Sequence, residues 1–125
     1  IMGDISRHFN RKDFDCKCGC QMPPEVLSNV LILVKQLQAL RDALDWPIIV
    51  NSGYRCVAHN KAIGGKANSQ HLLGKAADIR AELLVPEDIR DTIEVFIDDG
   101  IMLQGGLGLY KTFVHYDIRK KRARW

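Results

Sequence analysis

No stretch of this sequence stays apolar for long: the longest aliphatic run is Val30 to Val34, far below the roughly 20 apolar residues needed to cross a bilayer. No membrane span and no membrane partner are expected. A basic stretch followed by an apolar core, the mark of a secretory leader, is also missing from the N-terminus. Action outside a cell would then need a separate export route, and the localisation is open. Aromatic residues are scarce, at 7%, and none interrupts the cluster Arg119, Lys120, Lys121, Arg122 and Arg124. Such a basic tail can hold an anionic polymer but lacks the stacking groups that read bases, so nucleic acid is not an expected partner.

The chain has 125 residues, of which 46% are hydrophobic and 26% charged. That balance excludes disorder, collagen-like repeats and coiled coil, and the length fits one domain with its own core. A single domain over residues 1–125 is expected, with a poorly defined N-terminal segment at 1–13 and a basic C-terminal tail at 119–125. A monomer is expected. The net charge is +3, so the tail leaves the rest of the chain slightly acidic.

Cysteine is sparse and oddly placed. Cys16, Cys18 and Cys20 alternate along one short segment, and Cys56 stands apart. Structural zinc sites normally space a ligand pair by two to four residues and repeat it, a pattern this cluster does not follow. Zinc ligation, disulfides in an oxidising compartment and four unrelated thiols remain open.

Val26, Val30, Leu33, Leu37, Leu40 and Leu44 recur at helical spacing. The helix they define should end near Asp45, because Pro47 disfavours helical geometry at Trp46. Ile48-Ile49-Val50 then reads as a short strand. Residues 56–75, rich in Gly, Asn, Ser and Lys, read mostly as loop with one brief helical stretch at 57–63; so long a loop in a small domain usually builds a site. Ala76-Ala77-Asp78-Ile79 reads as a strand, and Pro86 opens a second amphipathic helix through Ile89, Ile93, Phe96 and Ile97, stopped by Gly100. Past a Gly105-Gly106 turn, residues 108–110 and 112–119 read as two strands meeting around Lys111. In the second, Phe113, His115, Asp117 and Arg119 share one face, and Val114, Tyr116 and Ile118 the other.

A polar face of His115 and Asp117 on an apolar strand needs a partner, because buried ionisable groups are costly unless paired or metal-bound. His71, in the glycine-containing loop, and Asp78, inside an apolar strand, are groups of the right kind. Two imidazoles and one carboxylate form the ligand set of a hydrolytic zinc ion with a fourth position free for water. They can converge if the strands of Asp78 and His115 are neighbours. Asp78 could instead cap a turn or pair with Arg80. His8 and His59 are not expected at the metal.

The stretches Asn51-Ser52-Gly53-Tyr54-Arg55-Cys56, His59-Asn60-Lys61-Ala62-Ile63-Gly64-Gly65, Asn68-Ser69-Gln70-His71-Leu72-Leu73-Gly74-Lys75-Ala76-Ala77-Asp78-Ile79 and Phe113-Val114-His115-Tyr116-Asp117-Ile118-Arg119 resemble the zinc D-Ala-D-Ala carboxypeptidase family, peptidase family M15, which includes related peptidoglycan endopeptidases. The likeness runs from about Phe14 to the final residues and is closest to the compact catalytic domain found in bacterial wall enzymes and phage lysins. It implies an α+β fold of the hedgehog and DD-peptidase kind, a small antiparallel sheet backed by helices, with Zn2+ held by His71, Asp78 and His115. It further implies that Arg55 binds substrate near the scissile bond, a role suited to its fork of donors, with Ser69 and Tyr110 as further substrate contacts. Many relatives carry an acid three residues before the last histidine ligand, where this chain has Thr112. Asp117 is the nearest carboxylate and thus the candidate general base or, failing that, a group that orients His115.

The expected function is zinc-dependent hydrolysis of peptide bonds in peptidoglycan stems, by a D-Ala-D-Ala carboxypeptidase or an endopeptidase, possessing a stem peptide as partner. The rival expectation is a zinc-containing domain that binds the wall without cutting it, which Thr112 keeps open. A phage or prophage lysin is the expected setting.

Overall fold

The computed structural model describes residues 3–125. Three α-helices and five β-strands follow one another as α1 (Pro24–Leu44), β1 (Ile49–Ser52), α2 (Val57–Ala62), β2 (Ala76–Arg80), α3 (Pro86–Asp98), β3 (Gly106–Leu109), β4 (Val114–Asp117) and β5 (Ala123–Arg124). Short 3-10 turns lie at Arg11–Phe14 and Gln70–Leu73. The strands form one sheet in the order β1-β2-β4-β3-β5, antiparallel except where β3 meets β5. This is the α+β arrangement expected.

Local chemistry explains the main elements. Val26, Val30, Leu33, Leu37 and Leu40 of α1 are all buried, as their spacing requires. The helix stops where Asp45 turns left-handed at φ 50° and its N–H still reaches the Arg41 carbonyl. In α3, Pro86 opens the helix and Glu87 and Asp88 sit in the first turn, where acids complement the positive end of the backbone dipole. Ile89, Ile93 and Ile97 face inward, and Gly100 reverses the chain at φ +74°. On β4, Val114 and Tyr116 enter the core, and the Tyr116 hydroxyl donates to the Leu103 carbonyl at 2.7 Å. No helix among the described residues is long and apolar enough to cross a membrane.

Both ends of the chain differ from expectation. Residues 1 and 2 of the N-terminal segment lie outside the described residues, but from residue 3 onward the segment is structured rather than poorly defined. Phe9 is 1% exposed and packs into the common core, and Gln38 of α1 accepts hydrogen bonds from the Ser6 hydroxyl and the His8 amide at 2.8 and 2.9 Å. The anchor is some 30 residues away in sequence, so local pattern cannot reveal it. The basic segment at 119–125 is likewise no free tail. It carries β5, and Arg124 forms an ion pair with Glu94 of α3 at 2.8 Å.

Candidate metal centre

β2 and β4 are neighbours, and their register sets Asp78 directly opposite His115. His71 comes from the turn at Gln70–Leu73. Ser69 caps this turn by accepting the His71 amide at 3.2 Å, and Gly74 closes it at φ +71°. A side chain on Gly74 would strike Val26 and Val30 of α1, so glycine is what lets the turn lie this close to the helix. The three side chains are buried. His71 Nε2 and His115 Nδ1 stand 3.3 and 3.1 Å from the same Asp78 oxygen, Oδ1.

The groups behind these side chains determine which ring nitrogen carries a proton. His71 Nδ1 lies 2.6 Å from the Gly53 carbonyl, which can only accept, so Nδ1–H donates and Nε2 is left with its lone pair. His115 Nε2 lies 2.7 Å from Asp117 Oδ2, so that nitrogen donates and Nδ1 faces inward. In the neutral tautomers, two imidazole lone pairs and a carboxylate oxygen therefore point at one spot, an arrangement that repels itself unless a cation sits among them. Metal bonds of about 2.0–2.1 Å would place tetrahedral donors about 3.3 Å apart, which matches the observed spacing. The three residues fit a divalent cation with a fourth position left open.

The electrostatics agree. In the metal-free chain burial works to raise the Asp78 carboxyl, but hydrogen bonds from His115 and His71, made once their inward nitrogens take up a proton, outweigh it and hold the group well below the usual carboxylate range. Burial likewise opposes charge on His115, and its bonds to Asp117 and Asp78 win, so the imidazole is pushed up. With no metal, a proton on Nδ1 relieves the clash of acceptors; a cation does the same and displaces it.

Asp117 is not placed to act as general base. It is 0% exposed and lies behind the His115 ring, away from the cavity. Its oxygens also accept from the Gly106 amide at 2.8 Å and from the Arg119 guanidinium at 2.8 to 3.1 Å. These bonds overcome the effect of burial and keep it well below the usual range, which makes it a poor proton acceptor. The expectation of a base at Asp117 gives way to its alternative, a group that orients His115. Thr112 is exposed.

The donors open onto a cavity of about 580 Å³ whose walls include Arg55, Ser69 and Tyr110. Arg55 donates to Asp78 Oδ2 at 3.2 Å, to the Ser52 hydroxyl at 3.0 Å and to Asn60 at 3.3 Å. It thus holds the carboxylate oxygen that the histidines leave free. His8 packs by Gln38, 2.7 Å from its amide nitrogen, and His59 lies in α2; neither belongs to the three-residue donor group.

The sequence profile of peptidase M15 matches residues 6–117. The chain belongs to the peptidase M15 family. A zinc D-Ala-D-Ala carboxypeptidase of Streptomyces albus G is 41% identical over 74 residues, which make up 58% of this chain and 29% of that protein. The match thus spans less than a third of the relative's length.

In this M15 chain the C-terminal segment contributes features that sequence reasoning missed. Trp125 lies with its ring centre 5.0 Å from that of His115, and its indole N–H donates to the Tyr110 hydroxyl at 2.8 Å. Gly108 stands opposite His115 in β3, and a side chain there would strike the Trp125 ring. Arg119 lies 5.5 Å from the centre of the same ring and lines the cavity. The one available signal was the Gly-x-Gly of β3, since glycine within a strand marks a close approach by another group. Asp78 is the sole side-chain carboxylate on the cavity wall among the described residues, against Arg55, Lys66 and Arg119.

Proposed function

We propose that this M15 chain is a zinc-dependent peptidase that hydrolyses peptide bonds in peptidoglycan stems, in the manner of a D-Ala-D-Ala carboxypeptidase. The convergence of His71 Nε2, Asp78 Oδ1 and His115 Nδ1 on one point beneath a cationic cavity carries this reading. Zinc bound there would acidify water toward a pKa of about 7 and polarise a peptide carbonyl. Arg55 and Arg119 line the cavity, and beyond their pairs with Asp78 and Asp117 each guanidinium keeps N–H donors suited to a carboxylate. That favours a stem with a free C-terminus over an internal bond, which brings no carboxylate to the scissile end. Gly53 and Asp117 fix the two imidazoles, Arg55 fixes Asp78, and the stacked Tyr110 and Phe113 rings, 4.5 Å apart, form an apolar side wall.

The cavity wall's lack of a second side-chain carboxylate supports the other reading, a wall-binding domain that holds zinc without hydrolysis. Incubation with purified peptidoglycan, with and without chelator and after zinc restoration, tests both. Release of free D-alanine that stops on chelation and returns with zinc is the expected result. Larger peptide fragments instead would indicate an endopeptidase, and zinc-dependent sedimentation with the wall but no product would indicate binding alone.

A further inference from the structure

One residue beyond Arg55, at Cys56, the four cysteines that sequence spacing left open come together. Cys16 and Cys18 Sγ are 3.3 Å apart, Cys18 and Cys56 3.5 Å, and Cys16 and Cys56 3.8 Å. Cys20 joins them, so that all four sulfurs lie within 4.8 Å of one another, and none is in a disulfide. A bonded pair would sit at about 2.05 Å, whereas zinc–sulfur bonds of about 2.3 Å put tetrahedral sulfurs about 3.8 Å apart. Gly19, at φ +85° and with its amide on the Cys16 carbonyl at 3.0 Å, folds the segment so that three alternating cysteines reach one centre. Backbone amides are also aimed at sulfur: Cys56 N–H donates to Cys16, and His59 N–H to Cys56, both at 3.4 Å. Donors of this kind favour thiolate over thiol.

We propose that Cys16, Cys18, Cys20 and Cys56 hold a second zinc ion in a closed, four-sulfur structural site. Each thiol gives up its proton to solvent on ligation, and no redox change is involved. The ion ties the N-terminal segment to the residue that caps α2, and Cys56 adjoins Arg55. In the same region the Tyr54 amide donates to the Phe14 carbonyl at 2.8 Å. The site thus braces residues 53–56, which supply both the carbonyl behind His71 and the guanidinium beside Asp78. It does not depend on the peptidase reading.

Metal content and spectroscopy of the full chain test the proposal without reference to hydrolysis. The zinc-loaded chain should contain two zinc ions, and one should remain in a His71→Ala/His115→Ala variant. Cobalt in that variant should give intense near-ultraviolet sulfur-to-metal absorption, which a Cys16→Ser/Cys56→Ser variant should lack. Should a variant fail to fold, the parent chain decides: its four thiols should resist iodoacetamide when zinc is bound and react once it is chelated. Alkylation at the same rate with and without zinc, cobalt loading without the sulfur band, or a native mass showing disulfides would each overturn the proposal.

Discussion

Asp117 accepts the Nε2 proton of His115 at 2.7 Å, so the carboxylate closest in sequence to the last candidate ligand acts on the far side of its ring. Converting Asp117 to Asn keeps the shape and removes the charge that holds this tautomer. Such partners behind a metal ligand are typically worth 10- to 100-fold in affinity, so zinc affinity, measured by competition with a chelator, should fall by about that factor. Lost hydrolysis with unchanged zinc affinity would return Asp117 to the role of base.

Arg55→Lys keeps the charge but cannot bridge Ser52, Asn60 and Asp78 at once. The loss of hydrogen bonds to charged groups costs about 1.5–3 kcal/mol, so kcat/KM on a stem peptide should fall by roughly 10- to 100-fold. Steady-state kinetics with full zinc occupancy would check this, and an unchanged value would remove Arg55 from the machinery.

Gly108→Ala places a methyl group where the Trp125 ring lies. The expected cost is about 1–3 kcal/mol of overpacking, with the indole displaced from His115. In a Trp46→Phe background, where Trp125 is the remaining tryptophan, both thermal unfolding and fluorescence should change. A native emission spectrum would show that the ring is not held there.

Acid should loosen the C-terminal strand. The hydrogen bond from Arg124 outweighs burial and lowers the Glu94 carboxyl below its usual value. A group depressed in the folded state stabilises it above the unfolded pKa of about 4.3, and this stabilisation fades as pH falls through the lower folded value. Hydrogen exchange at Ala123 and Trp125, whose amides bond Gly105 and Leu107, should therefore accelerate below about pH 4 beyond its intrinsic pH trend. Glu94→Gln should exchange faster at neutral pH and lose that extra acid dependence.

Much of the fold could be read along the chain. The 3.6-residue period of Val26 to Leu40 and of Ile89 to Ile97, with proline at each start, located both long helices close to their observed limits. Alternation separated Val114 and Tyr116 from His115 and Asp117, which share the opposite face. The residue types at 71, 78 and 115 offered a donor set, because a buried histidine or aspartate needs a partner, and the resemblance to the carboxypeptidase family singled it out from the other pairings open to Asp78. These signals are local, carried by residues a few positions apart.

Pairing across long separations was settled only by the tertiary structure. The register that faces Asp78 with His115, the turn of Asp117 away from the cavity, the gathering of Cys56 with Cys16, and the return of Trp125 beside Gly108 all join residues with no shared local pattern. Composition made the last segment look like a solvated basic tail, yet Glu94 and Asp117 supply counter-charges for two of its arginines and β3 supplies a strand partner. Side-chain chemistry named the groups that need partners, and the packing of distant segments decided which partners they met.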